Sequence, residues 1–181
     1  MPPQLRRVPT AALTPRELRA IRGLMDVAFG TGDEAFADED WVHALGGEHF
    51  VLDLVGEIVS HAAVVQRSLE IGGRLLRTGY VEAVATAPDE QGKGHGSLVM
   101  EAATEHIRST FELGALGTGR HSFYERLGWE TWRGPAFVRS PEGERRTPDD
   151  EGYILVLRTT TSTSFHLDEP ISCDWRPGDV W

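Results

Sequence analysis

Cysteine and long apolar runs are what this sequence of 181 residues most lacks. Cys173 is the only cysteine, so the chain cannot form an internal disulfide, a cysteine-rich zinc site or a Cys-x-x-Cys redox pair. No stretch approaches the roughly 18 apolar residues of a membrane-spanning helix. No apolar run follows Arg6 and Arg7 near the N-terminus, as it would in a secretory signal. These shortages predict a cytoplasmic protein in a reducing compartment.

Basic residues are also scarce. The chain has 18 Lys and Arg against 28 Asp and Glu, a formal net charge of −10 at pH 7. A field of this sign repels polyanions and attracts cations. It argues against nucleic acid and anionic membranes as partners and favours a polycationic small molecule.

The first third of the chain predicts two helices. Thr14 reads as an N-cap, followed by a proline at the first helical position and an acid in the first turn, and an apolar stripe then extends the helix over Pro15 to Phe29. A polar, acidic stretch from Gly30 to Asp40 leads into a second, short helix, Trp41 to Leu45. A glycine pair ends it.

The middle of the chain predicts a three-stranded antiparallel meander with strands at Phe50 to Val55, Ile58 to Gln66 and Leu75 to Ala87. A glycine-rich turn, Gln91 to Gly96, follows. Apolar residues at helical spacing then continue as far as Ile107. A strand therefore feeds a glycine-rich loop that feeds a helix.

Shorter elements complete the prediction: strands at Leu113 to Leu116, Trp129 to Trp132 and Tyr153 to Leu157, and a helix at Ser122 to Leu127. The predicted order is β-α-α-β-β-β-α-β-α-β-β, in one α+β domain over residues 1–181. Prolines, glycines and charges predict a surface loop at Ser140 to Gly152. The hydroxyl-rich tract Thr159 to Ser164 predicts a solvent-facing strand or linker.

The segment Gln91-Gly92-Lys93-Gly94-His95-Gly96 is the strongest local signal for chemistry. Glycines let a main chain approach a ligand closely, and the unpaired N–H groups at a helix N-terminus suit a pyrophosphate. The spacing fits neither a Walker loop nor a dinucleotide-binding fingerprint. The pattern Gln-x-x-Gly-x-Gly instead resembles the acetyl-CoA pyrophosphate loop of the GNAT superfamily of acetyltransferases.

The segment Phe123-Tyr124-Glu125-Arg126-Leu127-Gly128-Trp129 resembles a second GNAT pattern, Tyr-x-x-x-Gly-Phe/Trp. The resemblance implies that the Tyr124 hydroxyl lies near the thioester sulfur. The alternative is a helix whose aromatic residues pack into a core.

A carboxylate interrupts the otherwise apolar strand Gly79 to Val84 shortly before the glycine loop. In a strand of period two, Tyr80, Glu82, Val84 and Thr86 share one face. Glu82 therefore lies either on a solvated face or in a cleft. In a cleft it would stand beside the thioester, where an amine must lose a proton before it attacks.

The last nine residues, 173–181, include two tryptophans and two aspartates. Chain ends are ordinarily polar and frayed, so this composition predicts a tail packed back onto the domain. Asp179 and the Trp181 carboxylate would then be fixed anions, suited to binding ammonium groups.

Four segments together resemble the aminoglycoside 2′-N-acetyltransferases, and the likeness extends over nearly the whole chain. They are Asp40 to His49, Gly79 to Glu82, Gly114 to Leu116 and Cys173 to Trp181. The resemblance implies a GNAT fold: a central mixed, mostly antiparallel sheet flanked by helices, with acetyl-CoA bound at a splayed strand pair and no metal. It also implies that the tail, residues 173–181, packs into the acceptor site of this single domain.

The resemblance also implies roles for individual residues. Acetyl-CoA would bind to Val84, Ala85, Thr86, Gln91, Gly92, Lys93, Gly94, His95 and Gly96. The aminoglycoside would bind to Asp40, Glu82, Ala83, Gly117, Asp150, Asp179 and Trp181. Glu82 or the Trp181 carboxylate would be the general base, and Tyr124 would protonate the leaving thiolate.

The sequence departs from the family pattern at two places. Ala35 stands where the family has an acidic residue, with Asp33 and Glu34 close by as substitutes. The segment Gly117 to His121 is shorter and richer in glycine than the family's version, which bears on the contact expected from Gly117.

Two other functions fit the same residues. The chain could acetylate a different amine, such as a polyamine, a cell-wall amino sugar or a protein N-terminus. It could also be an acyl-CoA-binding sensor without turnover. A homodimer is compatible with each of these.

Overall fold

The computed structural model describes residues 2–32 and 35–181, and the described chain divides into two compact units. The first unit comprises Met1–Val65 and Val81–Ala103, and the second comprises Gln66–Tyr80 and Thr104–Trp181. Two long strands and one helix contribute residues to both units.

The first unit is built from two helices and a sheet. Its elements are β1 (Gln4–Pro9), α1 (Pro15–Phe29), α2 (Asp38–His43), β2 (Glu48–Leu54), the first part of β3 (Glu57–Ile71), the last part of β4 (Arg74–Thr86) and the start of α3 (His95–Thr110). β1 and β3 both pair antiparallel with β2. The core of this unit includes Ile21, Leu24, Met25, Ala44, Val51, Ala63, Ala83 and Ala85.

Helix α1 has the bounds that the sequence predicts, and its first turn shows why. The Thr14 hydroxyl accepts from the Glu17 main-chain N–H at 3.3 Å, while the Glu17 carboxylate accepts from the Thr14 N–H at 2.8 Å. This reciprocal pair satisfies donors that a helix N-terminus otherwise leaves unpaired. The apolar stripe then buries Ile21, Leu24 and Met25.

The second unit is built on a mixed sheet. It adds β5 (Leu113–Gly117), α4 (His121–Glu125), β6 (Glu130–Thr131), β7 (Ala136–Ser140), β8 (Gly143–Arg146), β9 (Ile154–Arg158) and β10 (Ile171–Asp174) to the remaining parts of β3, β4 and α3. The strand order is β6-β9-β5-β4-β3-β10-β7-β8. β4 pairs parallel with β5, and β10 parallel with β7. Trp129 and Trp132 are among its fully buried side chains.

The sequence does not predict three of the strands, β7, β8 and β10. The predicted surface loop Ser140 to Gly152 contains β8, which forms a hairpin with the unpredicted β7. All four residues of β8 are exposed, so main-chain pairing without an apolar pattern defines this strand. β10 is short and lies between β3 and β7. Such strands are defined by pairing with neighbouring strands, and their own sequences contain little of the pattern from which a strand is predicted.

The tract Thr159 to Ser164 is neither a solvent-facing strand nor a linker but a series of turns, so that prediction was wrong. Thr159 and Ser162 are buried. The Ser162 hydroxyl accepts from the Thr159 N–H at 2.9 Å, and the Thr159 hydroxyl donates to the Glu112 carbonyl at 2.6 Å. The hydroxyls can be buried because the turns themselves and the Glu112 carbonyl satisfy them.

Three helices start earlier than the sequence predicts, α4 by one residue, at His121 instead of Ser122. α2 spans Asp38–His43 rather than Trp41 to Leu45, and α3 begins at His95, inside the predicted glycine turn. The turn itself is therefore limited to Gln91 to Gly94. None of the four helices in residues 2–32 and 35–181 has both the length and the apolar character needed to span a membrane.

Candidate active site

The parallel pairing of β4 with β5 is short. It joins Thr78 to Leu113, Gly79 to Gly114 and Tyr80 to Ala115, and the pairing ends there. β4 continues for six more residues, Val81 to Thr86, within the first unit. Val84, Ala85 and Thr86, whose main chain is expected to bind CoA, thus lie past the end of the paired segment.

The backbone of β4 departs from extended geometry at Ala83. The Ala83 φ of 50° lies in the left-handed region, where a residue with a Cβ is strained. Ala83 and Ala85 are buried in the core, whereas Glu82, Val84 and Thr86 alternate with them and are half-buried. Glu82 therefore stands immediately before a backbone irregularity and on the more open face of the strand.

The glycine turn delivers main-chain donors to the start of α3. Gly92 and Gly94 have φ values of 73° and 85°, and a Cβ on either would meet nothing within 4 Å. The Gly94 carbonyl accepts from the Leu98 N–H at 3.1 Å, the first bond of the helix. The N–H groups of the first turn of α3 are therefore available to an anion.

The Glu90 side chain stabilises this turn. Its carboxylate accepts from Lys93 Nζ at 2.9 Å and lies 3.2 Å from His95 Nε2. These bonds, that of Lys93 above all, hold the pKa of Glu90 below its ordinary value. His95 is buried, and its other nitrogen, Nδ1, has no hydrogen-bond partner among the described residues. One buried polar atom at the helix start is thus left for a ligand.

Two histidines that the sequence analysis did not single out lie in the first unit. His49 on β2 and His61 on β3 are both fully buried. Their rings are joined by a 2.8 Å contact from His49 Nδ1 to His61 Nε2, and His61 Nδ1 lies 2.7 Å from the Ala83 carbonyl oxygen. The available signal was a histidine directly before an apolar run in each of two strands, Phe50 to Leu52 in β2 and Ala62 to Val65 in β3.

Burial lowers the pKa of His49 to about 4. It also lowers the pKa of His61 to about 3, assisted by repulsion from His49 and opposed by the bond to Ala83. Both imidazoles are therefore neutral at pH 7. In the unfolded chain each would titrate near pH 6.5, so the unfolded state takes up protons first as the pH falls.

We therefore expect the free energy of unfolding to fall as the pH drops below 6.5 towards the folded-state values. The slope should reach about 1.4 kcal/mol per pH unit for each histidine. Urea titrations at pH 7.0, 6.0 and 5.0 measure it. The double variant His49→Gln/His61→Asn should have a shallower slope, and equal slopes in the two proteins would refute the assignment.

Tyr124 lies in α4 of the second unit and is buried. Its ring packs edge-to-face against Phe123 at 4.9 Å and against Trp129 at 6.4 Å between centroids. Burial raises the pKa of Tyr124 to about 12, against a smaller opposing effect of the Arg120 charge. The phenol therefore keeps its proton and remains a hydrogen-bond donor at neutral pH.

The tail folds back onto the second unit. Trp181 is only 6% exposed, and its indole N–H donates to the Thr147 hydroxyl at 3.0 Å. The Trp181 main-chain N–H donates to the Asp179 carboxylate at 3.3 Å. Arg176 Nε donates to the Asp179 carbonyl at 2.7 Å, and Arg176 Nη2 to the Trp181 main-chain oxygen at 3.3 Å. The tail thus has a defined conformation.

Gly117 brings β5 against this tail. A Cβ on Gly117 would lie 3.6 Å from the Tyr80 hydroxyl oxygen and 3.7 Å from the Trp181 main-chain carbon. The guanidinium carbons of Arg67 and Arg176 lie 4.7 and 5.3 Å from the Tyr80 ring centroid. The Trp181 main chain therefore meets Gly117 and Tyr80 at one point of the second unit.

Asp150 extends the negative charge around the tail. Partial burial raises the pKa of Asp150, and repulsion from Asp179 and Asp149 raises it further, against a bond from Thr147. Thr147 is also the residue that holds the Trp181 indole. Asp150 and Asp179 are thus two carboxylates close enough to repel each other, an arrangement that a bound cation relieves.

Asp40, which is expected to bind the aminoglycoside, lies half-buried in α2. Its carboxylate accepts from the Ala37 N–H at 2.8 Å. This bond caps the helix, so part of the Asp40 carboxylate is already used structurally. Asp33 and Glu34, expected as substitutes for the acid missing at Ala35, lie outside the described residues. The described residues also include no group of three or more His, Cys, Asp or Glu arranged to hold a metal ion.

Comparisons with known proteins agree on a family. The profile of the Acetyltransferase (GNAT) domain matches residues 10–132. An aminoglycoside 2′-N-acetyltransferase from Mycolicibacterium fortuitum is 42% identical, and the match covers 97% of this chain and 91% of that protein.

Two solved structures illustrate the fold. The Escherichia coli GNAT family N-acetyltransferase YhbS, solved in complex with CoA, matches with a TM-score of 0.65 and 16% identity over 94% of this chain and 89% of its own. A GCN5-related N-acetyltransferase from Kribbella flavida matches with a TM-score of 0.58 and 28% identity over 73% of this chain. This chain spans only 35% of the length of the Kribbella protein.

The short parallel β4–β5 pair, the glycine turn that opens α3 and the matched profile are those of a GNAT acetyltransferase. The chain belongs to this superfamily and, within it, to the family of the aminoglycoside 2′-N-acetyltransferases. The predicted α+β GNAT fold and the predicted family are both confirmed.

Proposed function

We propose that this protein transfers the acetyl group of acetyl-CoA to the 2′-amine of an aminoglycoside, directly and in a ternary complex. Family membership supports the acetyl transfer. The observation that carries the acceptor assignment is the folded tail, which holds Asp179 and Trp181 beside Asp150. Acetylation would convert one ammonium group of the aminoglycoside into a neutral amide, so the product would be an inactivated antibiotic and the reaction would confer resistance.

The first unit carries the acetyl-CoA site in this proposal. The left-handed Gly92 and Gly94 and the free N–H groups of α3 fit a pyrophosphate, and the unpartnered Nδ1 of His95 adds one polar contact. Gln91 Nε2 donates to the Thr86 carbonyl at 3.2 Å, which links the turn to the end of β4. The main chain of Val84 and Thr86 would bind the pantetheine arm. When bound, acetyl-CoA supplies the activated acetyl group.

Glu82 and Tyr124 divide the proton transfers in the proposed reaction. Glu82 accepts a proton from the ammonium form of the acceptor, directly or through water, with the Trp181 carboxylate as the alternative base. Tyr124 donates a proton to the leaving thiolate. Because its pKa is raised to about 12, Tyr124 is fully protonated when that charge develops.

Cys173 supports direct transfer rather than an acetylated enzyme. It is buried, its thiol donates to the Val180 carbonyl at 3.3 Å, and burial raises its pKa to about 11. A nucleophilic cysteine instead needs a lowered pKa and access to the substrate. The rate would come largely from holding amine and thioester together, which can contribute about 7–11 kcal/mol.

The glycine turn yields a specific prediction. Gly94→Val should weaken CoA binding by about tenfold or more, because valine resists the left-handed conformation that directs the turn at the phosphates. Isothermal titration with CoA measures the effect. Gly56→Val is the matched control, since Gly56 also has a positive φ, 83°, and open space around it but lies in the β2–β3 turn. An unchanged dissociation constant for Gly94→Val would remove the turn from the cofactor site.

The two rival functions are separated by one screen. Release of CoA is measured for the wild-type protein with aminoglycosides, polyamines, amino sugars and peptides with free N-termini. We expect turnover with aminoglycosides at the highest kcat/KM. Preference for another amine would assign a different acceptor, and CoA binding without turnover on any amine would indicate a sensor. The cytoplasmic location and the homodimer stay predictions.

A further inference from the structure

We infer that Thr10, His49 and His61 form a hydrogen-bonded chain that fixes the left-handed backbone of β4 at Ala83, and that His61 is thereby a positioning residue for Glu82. The inference rests on the proposed function for the role of Glu82. The chain of bonds lies wholly within the first unit.

The three contacts are short and follow one another. The Thr10 hydroxyl lies 2.7 Å from His49 Nε2, His49 Nδ1 lies 2.8 Å from His61 Nε2, and His61 Nδ1 lies 2.7 Å from the Ala83 carbonyl oxygen. Both rings are fully buried, so water does not compete for these atoms. At the outer end, the Gly46 N–H donates to the Thr10 hydroxyl oxygen at 2.9 Å.

The Ala83 carbonyl determines which nitrogen of each imidazole carries the proton. A carbonyl can only accept, so His61 Nδ1 must carry a hydrogen. In a neutral imidazole the other nitrogen is then an acceptor, so His61 Nε2 accepts from His49 Nδ1. His49 Nε2 in turn accepts from the Thr10 hydroxyl at 2.7 Å, which is the shorter of the two contacts of this hydroxyl with acceptors, since the Gly47 carbonyl oxygen lies 3.2 Å away. Both histidines are thus locked in the Nδ1-protonated tautomer, with each buried polar atom of the chain satisfied.

This arrangement explains how Ala83 keeps its conformation. A left-handed residue with a Cβ persists only where its surroundings hold it. Ala83 belongs to the same core cluster as Ala63 and Val51, and its carbonyl is held by a side chain on the neighbouring strand. Rotation of the Ala83 peptide would break the bond to His61. It would also move the Val84 N–H, and release of Ala83 from its left-handed φ would redirect Glu82, the residue before it.

The test compares two replacements of His61. In His61→Asn the side-chain amide can still donate to the Ala83 carbonyl, whereas in His61→Leu no donor remains. We expect His61→Leu to lower kcat by about 10- to 100-fold, as a misplaced catalytic group does. The dissociation constant of CoA should change much less than kcat, because the glycine turn that binds the pyrophosphate makes no bond to His61 and only the contact from the Val84 N–H would be displaced. His61→Asn should recover most of the lost kcat.

Val64→Ala is the matched control, since Val64 is buried in β3 and its truncation loosens the strand without removing a polar group. An equal loss of kcat in Val64→Ala and His61→Leu, or no recovery in His61→Asn, would overturn the positioning role. The rates are measured with whichever amine the screen identifies as acceptor, so the comparison does not depend on an aminoglycoside.

A measurement without turnover tests the bond chain separately. Nitrogen-15 NMR of the wild-type protein at pH 7 should place both histidines in the Nδ1-protonated form. Thr10→Val removes the hydroxyl that His49 Nε2 accepts from, and it should perturb the His49 signals while Thr10→Ser preserves them. An Nε2-protonated His61 in the wild-type protein would contradict the inference even if the proposed acceptor were correct.

Discussion

Tyr124→Phe should lower kcat by about 10²- to 10⁴-fold while the KM values of both substrates change little. The substitution removes one oxygen and leaves the ring, so the edge-to-face contacts with Phe123 and Trp129 persist. If the phenol protonates the leaving thiolate, removal of its hydroxyl raises the energy of the transition state, in which the charge on sulfur develops. The energy of the bound substrates is unchanged. Steady-state kinetics with acetyl-CoA and the identified acceptor measure both constants.

Tyr153→Phe is the control for Tyr124→Phe. It also removes a tyrosine hydroxyl from the second unit, but its side chain is exposed, so kcat should be unaffected. A role for Tyr124 in packing alone predicts a different pattern: nearly normal kcat in Tyr124→Phe, or a loss of activity that follows a loss of thermal stability. Either result would remove Tyr124 from the proton transfer.

The second large effect is expected at the acidic cluster formed by Asp150, Asp179 and the Trp181 carboxylate. Each charge-assisted hydrogen bond to a bound ammonium group contributes about 1.5–3 kcal/mol. Asp179→Asn should therefore raise the aminoglycoside KM by about 10- to 150-fold, with the affinity for acetyl-CoA unchanged. Asp150→Asn should act in the same direction.

Extension of the chain beyond Trp181 tests the third carboxylate. Added residues convert the Trp181 carboxylate into an amide and should raise the acceptor KM without removing the buried indole. Added salt should weaken acceptor binding more in the wild-type protein than in these variants, because fewer charges remain to be screened. Glu101→Gln is the control, because it also removes one negative charge but at an exposed position on α3. Unaltered constants in both the extended protein and Asp179→Asn would make the tail purely structural.

Local signals explain which parts of the fold are predictable. The capping residues of α1, the runs of strand-forming residues in β2, β3 and β4, and the glycines before α3 each act within about ten residues of chain, so the sequence alone predicts them. β7, β8 and β10 were missed because their pairing partners define them. The four exposed residues of β8 show no pattern of their own.

The candidate site divides in the same way. Short motifs predict the glycine turn and indicate Tyr124 as a candidate site residue. The two tryptophans near the C-terminus predict the folded tail. The approach of Gly117 to Tyr80 and Trp181 depends on three distant segments, which no local spacing reveals. The bond from His61 to Ala83 likewise depends on the register of neighbouring strands and on a left-handed backbone conformation that an alanine does not indicate.

One measurement tests the central claim most directly: acetylation of two aminoglycosides that differ only at the 2′ position, one with an amine and one with a hydroxyl. The wild-type protein should release CoA with the 2′-amine, and NMR of the product should show a single acetyl group on that nitrogen. The 2′-hydroxyl compound should bind but give no product. Comparable turnover of both compounds, or an acetyl group on another nitrogen, would contradict the assignment of this protein as a 2′-N-acetyltransferase.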